Sequence, residues 1–223
     1  MKNYLQKNKI ELILIYVALV STIYPIFLIP QKIEKYFRLN DFISTIIHYL
    51  AVFFLFFVIP SLIIKFKFKE NLKCYGFTFE NFLKFLKIIL IFLPFLIFLI
   101  WLSSFQKDFQ TEYPLAKSII SQKSKIFVIE LFYLLYYIGW EFLFRGFLLF
   151  GLEKKFGEKN AIFIQTIISV LLHYTKPAGE ILLALIAGIL LGYFVRKYKT
   201  IFPAILIHFI AGISMDIFVI FNR

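Results

Sequence analysis

The sequence predicts an all-α membrane protein, a polytopic bundle of about seven transmembrane helices with six to eight as the range. Three observations support this class. The chain of 223 residues is 61% hydrophobic and has a mean hydropathy of +0.84, which is more apolar surface than a soluble domain buries. Apolar runs of about 20 residues recur along it, which is the length that a bilayer requires. Lys and Arg concentrate between these runs.

The predicted spans follow the apolar runs in chain order. The fifth and sixth, at about 15 residues each, predict tilted or protein-lined helices around a cavity. Gly188 and Gly192 in the sixth form a face of small residues that allows close helix packing. No internal repeat or low-complexity linker divides the sequence, so we expect one membrane domain over residues 1–223. The seven spans are 10–29, 42–64, 83–104, 126–150, 160–174, 180–195 and 202–221.

The net charge of +12 indicates topology and contact with anionic lipid head groups, because the positive residues lie between apolar runs. The excess of Lys and Arg falls in the connections that are cytoplasmic when the N-terminus is inside. We therefore predict a multi-pass protein of the cell membrane with a cytoplasmic N-terminus and with membrane lipids, not nucleic acid, as partners. The single cysteine, Cys74, excludes an internal disulfide and a cysteine metal cluster.

Ionisable side chains inside the apolar runs are the strongest functional signal, because a charge in hydrocarbon is costly. Glu141 and Arg145 stand four residues apart on one predicted helix, so they share a face and can form an ion pair. Arg145 needs an acceptor because its guanidinium stays charged, and Glu141 or Glu130 can supply one. The full set is His48, Glu130, Glu141, Arg145, His173, His208 and Asp216.

Glu141, His173 and His208 fall on three different predicted helices, and their convergence would bring one carboxylate and two imidazoles together. Two chemical schemes are open. The three side chains could hold a catalytic zinc ion with one position free for water. Alternatively, a buried carboxylate could act as general base on water while the histidines hydrogen-bond to an oxyanion. The spacing does not match the helical HExxH zinc motif.

The same residues carry a resemblance to a known family. The chain contains Glu141-x3-Arg145-Gly146, then His173, Gly188-x3-Gly192, Pro203 and His208. Over residues 126–215 this order resembles the CPBP family of CaaX-processing and bacteriocin-processing intramembrane proteases. The resemblance implies a catalytic core over that range and hydrolysis of a peptide bond in a membrane-associated peptide or lipidated protein.

The resemblance also implies roles for individual side chains. Glu141 would activate water, Arg145 would balance its charge, and His173 and His208 would stabilise the oxyanion. This chemistry needs no cofactor, whereas the zinc scheme would use Glu141, His173 and His208 as ligands. Arg145, Trp140, Glu180, Gly212 and Asp216 complete the predicted site as supporting residues.

The chain departs from the family pattern at three positions. Trp140 stands where the first Glu of Glu-Glu-x3-Arg is expected, Ser169 replaces a Phe, and Gly212 replaces an Asn. Without the first Glu, either Glu141 takes the base role, or a group such as Glu180 helps, or peptidase activity is lost. In the first case Trp140 would wall the pocket, and Trp140→Glu should keep or increase activity.

Two other functions are open from the sequence. One is a catalytically inactive relative that binds membrane peptides, for example in bacteriocin self-immunity. The other is a small membrane transporter that uses the Glu, His and Arg cluster as a proton or ion relay. The sequence shows no internal repeat and no paired broken helices, which argues against a transporter. An intramembrane endopeptidase is the leading hypothesis.

Overall fold

The computed structural model describes residues 2–223, with side chains from residue 8 onward, and this part of the chain is helical without a β-strand. The helices are α1 (Lys2–Ile23, continued by a π-helical turn at Tyr24–Leu28), α2 (Pro30–Phe37), α3 (Asp41–Phe68), α4 (Phe82–Ser103), α5 (Lys107–Glu112), α6 (Lys123–Phe156), α7 (Glu158–Leu171), α8 (Ala178–Tyr198) and α9 (Phe202–Phe221). The predicted all-α class is confirmed.

Six helices of the described chain, namely α1, α3, α4, α6, α8 and α9, are long and apolar enough to cross a membrane. The protein is therefore a multi-pass membrane protein, at the lower end of the predicted range of spans. The predicted fifth span, 160–174, coincides with α7, which has 14 residues. At 1.5 Å per residue α7 measures about 21 Å, which is shorter than the hydrocarbon core of about 30 Å.

Helix α6 occupies the centre of the bundle. It packs along α3 and contacts α9, while α7 packs along α8 and α4 along α9. Every residue of α6 from 139 to 149 is buried. Large apolar side chains such as Ile15, Ile91 and Phe127 are instead exposed on the outer surface of the bundle, where a bilayer would cover them.

A π-helical segment, Phe142–Leu148, follows directly after Glu141 in α6. Such wider turns are rare and often occur at functional sites. The segment contains Arg145, and both Glu141 and Arg145 point into the bundle rather than toward its outer surface. The fully buried part of α6 therefore holds the two charges away from lipid.

Small residues permit the close helix contacts. A Cβ at Gly188 would lie 2.6 Å from Cγ2 of Thr166, and one at Gly192 would lie 2.9 Å from Nε2 of Gln165. Both neighbours belong to α7, so the predicted glycine face packs α8 against α7 as expected. Gln165 fits into this contact and donates a hydrogen bond to the carbonyl oxygen of Gly188 at 2.9 Å.

Gly139 allows α6 to pack directly against the backbone of α3, and from this contact we predict the effect of a substitution. A Cβ at Gly139 would lie 3.0 Å from the carbonyl oxygen of Val52 and 3.1 Å from Cα of Phe53. Because backbone atoms cannot rotate away, Gly139→Ala should destabilise the protein by about 1–3 kcal/mol. The measurement is the thermal unfolding midpoint of the purified protein in detergent.

Gly179→Ala is the matched control, since the nearest atoms to its added Cβ are 3.6 Å away in the ring of Phe109. This variant should unfold at the wild-type temperature. Equal midpoints for the two alanine variants would show that the approach of α6 to α3 is not limited by Gly139.

Candidate active site

Glu141 joins side chains from two helices. Its Oε1 accepts a hydrogen bond from Nη1 of Arg145, also on α6, and lies 2.7 Å from Nδ1 of His208 on α9. Glu141 has no exposed surface and Arg145 is 3% exposed. The predicted ion pair is confirmed, and the described contacts of Arg145 include the carbonyl oxygen of Ala187 at 3.5 Å but not Glu130.

Both histidines of the site are held through Nδ1. Nδ1 of His208 faces the Glu141 carboxylate, and Nδ1 of His173 lies 2.7 Å from the carbonyl oxygen of Ser169, one turn earlier on α7. Carbonyl and carboxylate oxygens only accept hydrogen bonds, so Nδ1 carries the hydrogen in each ring. Nε2 of each ring then has no hydrogen-bond partner among the described residues. It accepts a hydrogen bond when the ring is neutral and donates one when the ring is protonated.

A small polar cavity of about 30 Å³ lies beside the two histidines. A water molecule needs roughly 10–15 Å³ of such space, so the cavity has room for about two. Six residues line both this cavity and a larger groove, and we call them the shared wall. They are Tyr113, Tyr137, Trp140, His173, Glu180 and His208.

The larger groove has a volume of about 540 Å³ and a mostly apolar lining. Phe92 and Leu99 of α4 form part of one side, and Leu183 and Leu190 of α8 form part of another. The groove meets the polar cavity at the shared wall. An apolar chain in the groove would therefore lie directly beside a cavity that can hold water.

The structure places His173 and His208 at one cavity, whereas Glu141, which we expected to converge with them, lies behind His208 and lines neither cavity. Its Oε1 is already in contact with Arg145 and His208, and its Oε2 has no partner in the described chain. The role of water-activating base therefore remains a prediction for Glu141. The contact that the structure gives this residue is with the imidazole of His208.

Trp140 forms part of the shared wall and is 2% exposed. Its ring meets that of His173 edge to face at 5.2 Å between centroids, and it also packs on Tyr136 and Phe144. This packing changes the expectation for Trp140→Glu. The substitution would remove a buried ring and place a carboxylate among aromatic side chains, and both changes are destabilising.

Glu180 also stands in the shared wall, and it is held by residues outside the spans. The Tyr113 hydroxyl lies 2.8 Å from each carboxylate oxygen. Nζ of Lys176 lies 2.6 Å from Oε1 of Glu112. Burial alone lowers the pKa of Lys176, but the carboxylates of Glu180 and Glu112 outweigh it, so the pKa is raised and the ammonium stays charged. Burial and the charge of Glu180 raise the pKa of Tyr113, so its hydroxyl remains a donor.

Three further residues, Tyr113, Tyr137 and His48, line the polar cavity, and sequence reasoning did not assign them to the site. Tyr137 lies one turn before Glu141, and this spacing is the signal that places it on the same face of α6. Its ring is 4.4 Å from that of His208. Gly212, a predicted supporting residue, contributes by having no side chain, because a Cβ there would collide with the Tyr137 hydroxyl.

Asp216, also predicted as a supporting residue, is not at the site. It is 1% exposed, it lines neither cavity, and its carboxyl group neighbours that of Glu130 in the core. Eight residues separate it from His208, which corresponds to about 12 Å along α9 and about 80° around it. The helix geometry therefore directs Asp216 toward a different part of the bundle.

A zinc ion would need several ligands facing one point. Among the described residues, no three His, Cys, Asp or Glu side chains are arranged to hold a metal ion. Glu141 contacts Nδ1 of His208 and lines neither cavity, so its carboxylate does not face the cavity that His173 and His208 line. Glu141, His173 and His208, as they are placed here, therefore do not form a zinc site.

The buried ion pair makes a prediction about folding. Arg145→Leu leaves the Glu141 carboxylate buried without its counter-charge, and breaking such a pair costs about 3–5 kcal/mol. We expect a lower yield of monodisperse protein and a lower thermal unfolding midpoint. Arg196→Leu is the control, since the Arg196 side chain is 38% exposed and its partners Glu153 and Glu158 are also partly exposed. An Arg145→Leu protein as stable as the control would contradict the assigned role.

Comparison with protein families identifies a match. Residues 121–214 match the family model of type II CAAX prenyl endopeptidase Rce1-like proteins. No curated protein and no solved structure matches the chain. The matched range extends from the start of α6 into α9, and it contains Glu141, Arg145, His173, Glu180 and His208.

Proposed function

We propose, from the premise that residues 121–214 belong to the CPBP family of intramembrane proteases, that this protein hydrolyses a peptide bond in a membrane-associated protein or peptide. The shared wall between the polar cavity and the apolar groove is the observation that carries the proposal. Hydrolysis within a membrane requires an apolar binding site and a place for water, side by side. The side chains between them are titratable or aromatic.

Glu141 and Arg145 have supporting roles in this proposal. The Glu141 carboxylate orients the His208 ring and stabilises an imidazolium if one forms, as a carboxylate at Nδ1 generally does. Arg145 balances the charge of Glu141 in the core. Glu141 therefore acts on the reaction through His208, which lines both cavities, while Arg145 also lines the groove.

The oxyanion of a tetrahedral intermediate would form at the shared wall. The Tyr137 hydroxyl can donate a hydrogen bond to it, and so can Nε2 of His173 or His208 when the ring is protonated. The notch at Gly212 accommodates the Tyr137 hydroxyl beside His208. Tyr137 thus supplies a donor at a position where the chain lacks the Asn of the family pattern.

We propose that the substrate places an apolar part in the groove and its scissile bond at the shared wall. The groove is lined by α4 and α8, which are both long helices, so an extended apolar segment can lie along it. The matched family includes prenyl endopeptidases by its description, so a lipidated peptide is the first substrate to test. An inactive peptide-binding protein is the second candidate, and Trp140 in place of a carboxylate supports it.

A double substitution tests the role of Glu141 without leaving a buried charge. Glu141→Gln with Arg145→Met removes both charges, so we expect a folded protein whose cleavage rate falls by about 10²–10⁴-fold, because His208 loses its orienting carboxylate. The assay is cleavage of a quenched-fluorescence farnesylated CaaX peptide in proteoliposomes, with the thermal unfolding midpoint measured in parallel.

The control is Glu153→Gln with Arg196→Met, which removes a Glu–Arg pair outside both cavities, whereas Arg145 of the tested pair lines the groove. This variant should cleave at the wild-type rate. Full activity in the Glu141 double variant would contradict the proposed role. No cleavage of farnesylated, leader or bacteriocin precursor peptides by the wild-type protein would favour the inactive binder.

Chelation tests the metal-independent chemistry. Treatment with 1,10-phenanthroline or EDTA should leave the cleavage rate unchanged, because the proposed steps use only side chains of this chain. The control is addition of the zinc-saturated chelator, which corrects for nonspecific inhibition. Loss of activity that added zinc restores would show that the reaction requires a metal.

A further inference from the structure

One carboxylate lines the polar cavity. Of the described residues that line the polar cavity or the groove, Glu180 is the one acidic side chain. Glu141 lines neither space, and Asp216 is elsewhere in the core. A carboxylate base for a water molecule in this cavity can therefore come only from Glu180 within the described chain.

We infer that Glu180 is the water-activating base of the reaction, at a site where Trp140 supplies no carboxylate. The inference rests on the proposed endopeptidase function and deepens it. It divides the acidic residues by task, with Glu141 orienting His208 and Glu180 acting on water.

The local structure holds Glu180 in position. It lies in the first turn of α8, and its N–H donates to the carbonyl oxygen of Pro177 at 2.9 Å. The turn between α7 and α8 returns the chain, so Glu180 lines the same cavity as His173. The positive end of the α8 dipole favours an ionised carboxylate at this position.

The contacts of Glu180 leave it able to accept a proton. A carboxylate has about four acceptor sites, and the Tyr113 hydroxyl, 2.8 Å from both oxygens, occupies part of this capacity. Lys176 lines the cavity as well, but its Nζ pairs with Glu112 and forms no direct ion pair with Glu180 in the described chain. Tyr113 thus orients the carboxylate, and the ammonium of Lys176 acts on it through its charge without a direct ion pair in the described chain.

The proposed step balances in atoms and charge. Glu180 takes a proton from water while the water oxygen bonds to the scissile carbonyl carbon, and the carbonyl electron pair moves to the oxygen beside Tyr137 and the histidines. When the carbonyl re-forms, the C–N bond breaks and protonated Glu180 returns its proton to the leaving nitrogen. The products are a carboxyl group and an amine, and no oxidant or metal is consumed.

The test uses the full-length protein in proteoliposomes with the quenched farnesylated CaaX peptide. Glu180→Gln should lower kcat by about 10²–10⁴-fold with KM close to the wild-type value, as for a lost general base. Glu158→Gln is the matched control, because Glu158 also lies in the first turn of a helix and pairs with Arg196 at 3.1 Å, outside both cavities. The control should keep wild-type kcat.

Chemical rescue separates a base from a structural acceptor of the Tyr113 hydrogen bond. Added formate should restore part of the cleavage in Glu180→Ala, because a small carboxylate can enter the vacated space and accept the proton. Tyr113→Phe, which removes the hydrogen bond but not the carboxylate, should retain more activity than Glu180→Gln. If Glu180→Gln does not fold, Glu180→Asp is measured in its place. We expect this variant to have a reduced kcat and a cleavage rate that added formate does not change.

The outcomes distinguish this assignment from the proposed function. Wild-type kcat in Glu180→Gln, together with an inactive Glu141 double variant, would overturn the assignment of Glu180 and leave the endopeptidase proposal standing. A Tyr113→Phe protein as impaired as Glu180→Gln, with no rescue by formate, would also overturn the assignment. No cleavage by the wild-type protein would overturn both.

Discussion

The buried guanidinium of Arg145 is the constraint on which the rest of the structure depends. This group cannot lose its charge, so in an apolar bundle it requires an acceptor. Glu141 provides that acceptor on the same helix, and the Glu141 carboxylate also contacts His208 on α9. Arg145 reaches the carbonyl of Ala187 on α8 as well. One charge therefore brings three helices to a common point.

The same requirement distinguishes a carboxylate that stabilises the core from one that can act on water. An ion pair that stabilises a core has to be shielded, whereas a group that acts on water has to reach a cavity. Glu141 meets the first condition and Glu180 meets the second. Trp140 lies between the buried ion pair and the cavity. Its ring packs on His173 and fills the space that a polar side chain could otherwise occupy. The two carboxylates thus have different surroundings, and this difference is the basis on which we propose different roles for them.

The segments that connect the spans also contribute residues to the site. Tyr113 binds Glu180, and Glu112 binds Lys176, so the segment after α4 is tied both to the start of α8 and to the turn before it. Functional residues often lie on connections that a rigid scaffold positions. Here the bundle supplies the histidines and the apolar groove, and the connections supply the groups that hold the cavity-facing carboxylate.

The sequence by itself determined the features that depend on local order along the chain. Apolar length predicts spans, and i,i+4 spacing places Glu141 beside Arg145, because both follow from the geometry of a single helix. Polar residues in apolar runs also identified His173 and His208. Only the tertiary structure decided that Glu180 faces the cavity and Asp216 does not, that Tyr113 binds Glu180, and that Tyr137 fills the notch at Gly212. These contacts join residues far apart in sequence, and they depend on which helix faces meet when the bundle packs.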